Sequence, residues 1–453
     1  MRPPIGARPP GRRTWASAAI GLTFVAAFFV VQHDLWFTLV PAESFIHLPE
    51  EQMDSIEEGS RDRQAALLCL GLVCALTLVV PGRHRLGING VLGWALVYHV
   101  VWAGLSLAWT VNAALTLRRL AAFAILLLAG VAMARRFAFR DLIVWLCASS
   151  GFYVLLGVAV EVALGTFQPL SAAYRFAGTL HPNFQGPNCA LLVLACLAAA
   201  HITGRRSRLA MVGLAVGVVF LLLTRSRTAC ASALGAALFY EGLVLSRTRV
   251  RTLVIMACGA AALSFGLLLL QPYWQGVECG VMLAREDSDP STLTGRIKVW
   301  RALLEHVQKR PIEGYGYGAF WTLGRTRQVQ GTVGWGVSAG HSAYVDLLLA
   351  TGVVGAACYI VVLTAGITAS ASAYRTSGDA ASAFCGGLLV YSLLSGLLES
   401  GCILTTMQAF VTLMALAYLG LVQHARVPAW AAALSLRPAV RPPLPVERRW
   451  PAR

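Results

Sequence analysis

Charge is scarce in this sequence, and acidic charge is scarcest. Only 13% of the 453 residues are charged, and 21 Asp and Glu stand against 37 Lys and Arg. With 57% hydrophobic residues and a mean hydropathy of +0.65, this shortage places the chain among polytopic membrane proteins. A cleavable signal pattern is missing as well: the Pro/Arg-rich start MRPPIGARPPGRRTW runs directly into an apolar segment long enough to span. The eleven cysteines fall almost entirely inside apolar runs (Cys69, Cys74, Cys147, Cys196 and Cys258 among them), and only Cys279 lies well inside a soluble loop. No CxxC or Cys/His spacing is present, so neither a disulfide framework nor a metal site is expected. GYGYG at 314–318 lacks the Lys-Ser/Thr ending and the preceding strand of a phosphate-binding P-loop. The formal charge of +16 would suit nucleic acid. Its basic residues lie in short patches between apolar runs, however, as membrane topology alone produces, so no nucleic-acid partner is expected.

What is present is a series of apolar runs of spanning length. Twelve candidates cover residues 15–32, 64–80, 88–108, 118–134, 142–164, 187–203, 208–224, 228–245, 252–270, 341–366, 380–398 and 401–423. One alternating set of connections, with the tail, holds 22 of the 37 basic residues, and only Asp141, Asp379 and Glu447 as acids. The positive-inside bias makes that set cytoplasmic and puts both termini inside. Loop 33–63 agrees, with eight acids against two arginines on the outer side. The expected organisation is a cytoplasmic N-terminus (1–14), spans one to nine (15–270), one large extracytoplasmic loop (271–340), spans ten to twelve (341–423) and a cytoplasmic disordered tail (424–453). The fold class is all-α, with membrane lipid as the surroundings.

This orientation leaves several basic residues on the outer face, where topology gives no reason for them. Arg225 and Arg227, in LLLTRSRTAC, fall at the outer end of the seventh and eighth spans. The alternatives are an anion site and interfacial snorkelling or pairing with Glu161 or Glu399. Two arginines at i and i+2 on the disfavoured side favour the anion site. Arg175 precedes GTLHPNFQGPN, in which His181 either shapes a turn or contacts ligand. Arg118 and Arg119 also face outward, and snorkelling accounts for them. Within the large loop Thr294 is a plausible helix N-cap, followed by an apolar face of Ile297, Trp300, Leu303, Leu304 and Val307. Arg296 then sits in a first turn whose amides and dipole favour phosphate, with Arg301 further along; an amphipathic helix lying on the bilayer is the alternative.

GYGYG is expected to form a tight turn that places Tyr315 and Tyr317, which near Trp321 would stack on sugar or simply pack. His341 opens the tenth span beside Ser342, with Tyr344 and Asp346 deeper. At a water-accessible boundary it is either a base for a hydroxyl or a hydrogen-bonded interfacial histidine. Asp287 and Asp289, in REDSDP, spell the DxD of metal-dependent glycosyltransferases, although isolated acids beside Ser and Pro are usually just solvated.

Taken in order, HPN, TRSRTA, LTGRIKVWRAL…RPIEGYGYGAF and GHSAYVDLLLATGVVG resemble the O-antigen ligase / O-antigen polymerase superfamily. AWTVNAALTLRR at 108–119 is similar to an upstream signature of its exopolysaccharide-polymerase-like members. The similarity extends from about residue 100 to 400 and is most specific at 290–355. It implies a GT-C-like membrane glycosyltransferase of the bacterial inner membrane, metal-independent, inverting and without a cofactor. The implied donor is an undecaprenyl-pyrophosphate-linked glycan at the periplasmic face, and the acceptor is lipid A–core or another lipid-linked glycan. By motif, Arg227 and Arg296 match the pyrophosphate ligands, with Arg225, Arg175 and Arg301 weaker matches. His341 matches the residue that activates the acceptor hydroxyl, although Ser342 follows it where Asn is usual. Glu399, in LLESGCIL, matches a recurrent acidic position suited to orienting an arginine; His181 and Tyr315 are supporting candidates. A twelve-span transporter or flippase of lipid-linked glycans is the competing reading. It predicts two related halves and mid-membrane polar groups, whereas here the charges gather at one surface.

Overall fold

The computed structural model describes residues 11–32, 59–80, 82–171, 174–202, 207–245 and 295–423. The described helices are α1 (Gly11–Gln32), α2 (Arg61–Val79), α3 (Gly90–Leu105), α4 (Ala113–Arg136), α5 (Phe139–Ala163), α6 (Pro182–Ile202) and α7 (Arg208–Leu223). They continue with α8 (Arg227–Leu245), α9 (Arg296–Lys309), α10 (Leu323–Val333), α11 (Ala343–Ser377), α12 (Ala380–Ser395) and α13 (Met407–Gly420). A two-residue antiparallel pairing joins β1 (Arg85–Leu86) to β2 (Val422–Gln423), where an all-helical chain was expected. The run 252–270, the loop portion 271–294 with Cys279, Asp287, Asp289 and Thr294, Cys258 and the tail from 424 lie outside the described residues.

Short polar residues set the helix starts. Asn112 accepts from Leu115 N at 3.0 Å to begin α4, and Thr406 accepts from Ala409 N at 3.1 Å to begin α13. Asp379 accepts from Ala381 N at 3.1 Å, just after Gly378 closes α11 in the left-handed conformation. Every described apolar run coincides with a helix, though 401–423 becomes helical only at Met407. Six described helices are long and apolar enough to cross a membrane: Arg61–Val79, Gly90–Ala108, Ala113–Arg136, Phe139–Ala163, Pro182–Ile202 and Ala343–Ser377. Ile20–Val31, Arg208–Leu223, Ala380–Ser395 and Met407–Gly420 are apolar but shorter.

The two short C-terminal helices form the centre. Nearly every residue of α12 and α13 is buried, as befits helices that are apolar on all sides. Around them pack α4 and α11, with α8 and α6 against α12. Close approach depends on small residues: a Cβ on Gly130 would sit 2.9 Å from Met414 N, and one on Gly93 2.7 Å from Gly420 O. The periphery is apolar too. Leu68, Leu72 and Leu76 of α2, Val91 and Trp94 of α3, and Val144 and Leu155 of α5 are all exposed, a surface suited to lipid and poorly suited to water.

One long helix is interrupted. Gly352, inside α11, adopts φ 66°, ψ −170°, which breaks the hydrogen-bond ladder in the middle of an apolar segment. The groups released are satisfied from outside the helix. Leu349 O accepts from Tyr315 N at 2.7 Å, Ala350 O from Gly316 N at 3.0 Å and Thr351 O from Trp102 Nε1 at 3.0 Å, while Val353 N donates to Pro311 O at 2.8 Å. GYGYG is the plug that makes this possible. Its three glycines all have positive φ, and a Cβ on Gly314 would meet Gly352 N at 2.7 Å. The 108–119 segment buttresses the plug, with Val111 N on Tyr315 O at 3.1 Å and Trp109 Nε1 on Glu313 O at 2.8 Å. Three sequence-distant motifs therefore interlock through their backbones.

Candidate functional site

The site forms where α8, α9, the loop before α11 and the link after α12 meet. Helix α9 starts at Gly295, whose φ of 81° supplies the N-cap, so Arg296 is the first helical residue. The cap was expected at Thr294; Gly295 takes the role in a left-handed conformation that residues with a Cβ rarely adopt, and a Cβ added there would lie 3.3 Å from the Trp335 indole nitrogen. The buried face of α9 also differs from expectation. Val299 and Leu303 are fully buried, whereas Ile297 and Leu304 are exposed, because α9 rests on α11 and α10 along the 299–303 line.

Arg296 donates from Nη2 to Glu399 Oε1 at 2.6 Å. The pair is mostly buried and ties the start of α9 to the link between α12 and α13. The same link holds the start of α11: Ala343 N donates to Gly396 O at 2.9 Å and to Glu399 O at 3.3 Å, and Ser342 Oγ to Gly396 O at 3.3 Å. Arg227, the first residue of α8, lies close enough to Arg296 for the two guanidiniums to repel each other. Two cations brought together by separate elements raise the local positive potential and suit an anion with several oxygens.

His341 completes the group. It lies two residues ahead of α11, in the left-handed region at φ 49°, which is costly for a residue with a Cβ. Its neighbours enforce that conformation. Gly340 is gripped on both sides, with its N–H on the Asp346 carboxylate at 2.9 and 3.1 Å and its carbonyl accepting from Trp300 Nε1 at 2.8 Å. Asp346 is itself fixed by Trp321 Nε1 at 2.9 Å and by Ser400 Oγ. The Trp335 ring packs on the imidazole, centroids 5.5 Å apart. Burial first, and the Arg296 charge second, push the His341 pKa down to about 4. At neutral pH the ring is therefore uncharged and able to accept a proton.

Two further sequence candidates, Arg175 and Arg225, sit at the α7–α8 link that leads directly into Arg227. Arg175 donates from Nε to Thr224 O at 3.2 Å and from Nη2 to Asn183 Oδ1 at 2.9 Å, latching the α7–α8 link to the start of α6. His181 caps α6, its Nδ1 accepting from Asn183 N at 3.2 Å. Arg225 has φ 50° in the tight α7–α8 link, with its N–H on Leu222 O at 2.9 Å. Arg301 is exposed on α9. Five residues on from Arg296, it projects roughly 140° around the helix axis. Tyr315 is buried, its hydroxyl on His306 O at 3.0 Å and Arg325 4.9 Å above its ring, so it packs the loop and presents no face for sugar. Trp335, Trp300 and Asp346 had no role in the sequence reading beyond face or depth. A tryptophan followed six residues later by histidine carries no periodic signal, so only the fold reveals that contact.

Three of the residues brought together here, Arg227, Arg296 and His341, lie within one stretch of chain. Residues 212–360 match the O-antigen ligase family. The matched stretch runs from within α7 into α11 and includes Arg225, Arg301 and Tyr315 as well; Arg175, His181 and Glu399 fall outside it. The match covers 149 of the 453 residues, about a third of the chain. No curated protein matches the chain.

Proposed function

We propose that this chain is a membrane glycosyltransferase of the O-antigen ligase/polymerase type. It uses an undecaprenyl-pyrophosphate-linked glycan at the extracytoplasmic face of a bacterial inner membrane. The single observation that carries the reading is the meeting of Arg227, Arg296 and the uncharged His341 at one point of the fold. In the reaction, an acceptor hydroxyl oxygen attacks the anomeric carbon as the carbon–oxygen bond to pyrophosphate breaks. The electron pair leaves with the pyrophosphate, and the hydroxyl proton passes to His341. Attack opposite the leaving group inverts the anomeric centre. Arg227 and Arg296 hold the pyrophosphate and oppose the charge that grows on it, a role that fixed positive charge fills without a metal ion. Glu399 holds Arg296 in place and orients its fork.

The transporter reading has one feature in its favour, the broken helix at Gly352. The carbonyls released there are taken by Tyr315, Gly316 and Trp102, so the break supports the loop and leaves no coordination site of its own. The test is a reconstituted transfer assay with a lipid-pyrophosphate donor. Arg296→Ala is expected to lose about 10²-fold or more in kcat/KM, from charge-assisted hydrogen bonds worth roughly 1.5–3 kcal/mol each. Full activity in that variant refutes the pyrophosphate site, and activity abolished by EDTA and restored by Mg²⁺ refutes metal independence. Deleting the gene and identifying the surface glycan that disappears or shortens separates ligation to lipid A–core from polymerisation.

A further inference from the structure

Next to the His341 loop the helices enclose a cavity of about 110 Å³. By the measure of roughly 10–15 Å³ per water this holds several waters, or one sugar ring in their place. Its walls come from α3, α4, α11, the turn after GYGYG and the α12–α13 link, and its rim includes Ser338 and Ala339, just before His341. The cavity contains a cation that snorkelling was expected to explain. Arg119, near the start of α4, turns inward, where Tyr317 and Asp346 feel its charge. Gly318 makes room for it: a Cβ there would sit 2.8 Å from Arg119 Cγ.

Among the described residues no hydrogen bond or ion pair engages Arg119. Asp346 lines the same cavity and its charge reaches Arg119, but no hydrogen bond joins the two; its oxygens accept from Gly340 N, Trp321 Nε1 and Ser400 Oγ. That leaves a planar set of donors inside the cavity with an anion still to be supplied. A second wall is polar as well. His99 is 5% exposed, lines the cavity, and its Nδ1 is buried without a hydrogen-bond partner. Tyr317 and Trp321 supply aromatic surface between these two polar points. A cation, a second buried polar atom and aromatic walls, at the scale of one ring, match a sugar that carries a carboxylate.

We propose that this cavity seats the terminal sugar of the acceptor glycan, an acidic residue whose carboxylate pairs with Arg119. His99 bonds a ring substituent, and the rim at Ser338 and Ala339 directs a hydroxyl towards His341. The assignment rests on the glycosyl-transfer reading above, and two measurements separate the failure of one from the failure of the other. In saturation-transfer NMR on the purified full chain, D-glucuronate receives saturation more strongly than D-glucose, Arg119→Gln abolishes the effect and Arg119→Lys restores part of it. In the transfer assay Arg119→Gln raises acceptor KM by about tenfold or more, with donor KM unchanged. Equal signals from glucose and glucuronate overturn the assignment, as does displacement of glucuronate by a lower concentration of inorganic phosphate. A loss of donor affinity in Arg119→Gln also overturns it, by giving the cavity to the donor. Arg119-dependent glucuronate binding by a chain that transfers no glycan keeps the sugar site and refutes the transferase. Should Arg119→Gln fail to fold, Ala339→Trp, which blocks the rim, is expected to remove glucuronate binding and raise acceptor KM in the same way.

Discussion

Binding of the lipid-pyrophosphate donor should load a proton onto His341. In the free protein, burial and Arg296 hold the imidazole pKa down at about 4. A pyrophosphate on Arg296 and Arg227 reverses the second of these causes. At ~7 Å and an effective dielectric of ~20, each negative charge contributes roughly 2.4 kcal/mol, or about 1.7 pKa units. Two such charges, reduced by counterion screening, raise the histidine by roughly 2–3 units, to about 6.5. At pH 5.5 the free histidine is then only about 3% protonated and the complexed one about 90%, so donor binding takes up close to ~0.9 proton. Isothermal titration calorimetry at that pH, in two buffers of different ionisation enthalpy, reads the uptake directly. His341→Gln should bind donor with about zero uptake, and the pH profile of kcat should show the raised pKa that the kcat/KM profile lacks. No uptake in the wild-type protein, or equal uptake in His341→Gln, refutes the placement of pyrophosphate beside this histidine.

Arg227→Gln removes one of two mutually repelling cations, so the donor-free protein should melt at an equal or slightly higher temperature while donor affinity falls about 10–100-fold; a clear loss of thermal stability would show that Arg227 serves the fold instead. Tyr315→Phe should cost about 1 kcal/mol, seen as a lower melting temperature, and leave both substrate KM values unchanged, since only the bond to His306 O is lost. Gly352→Ala forces a Cβ to within 1.9 Å of Ile312 O at a positive φ, and is expected to destabilise by about 3 kcal/mol or more and to expose the 310–318 loop to protease. Acid should weaken the wild-type fold through His341. Its folded pKa lies below the ordinary 6.5, so the stability it contributes is complete above pH 6.5 and declines as pH falls towards 4, a dependence His341→Gln should reduce in melts across that range.

Much of the helical arrangement is legible in the sequence. The scarcity of charge and the long apolar runs mark out a helical membrane protein, because apolar segments of that length have few other stable surroundings. Capping residues such as Asn112, Asp379 and Thr406 mark helix starts through local hydrogen bonds that need no tertiary context. Arg227 departs from what topology explains, whereas Arg296 and His341 are each balanced by an ordinary alternative and stand out through the family resemblance. The positions that could not be read are those decided by contacts between distant segments. Arg119 reads as an interfacial arginine until Gly318 opens a space for it, and Tyr315 reads equally as a sugar platform or a packing residue until Arg325 and His306 enclose it. The broken helix at Gly352 looks like one more small residue in an apolar run, since the groups that satisfy its backbone come from 102, 311, 315 and 316. Apolar periodicity and capping are local and are carried by neighbouring residues; a cavity, a charge pair and a helix break are satisfied from elsewhere in the chain, and only packing brings those parts together.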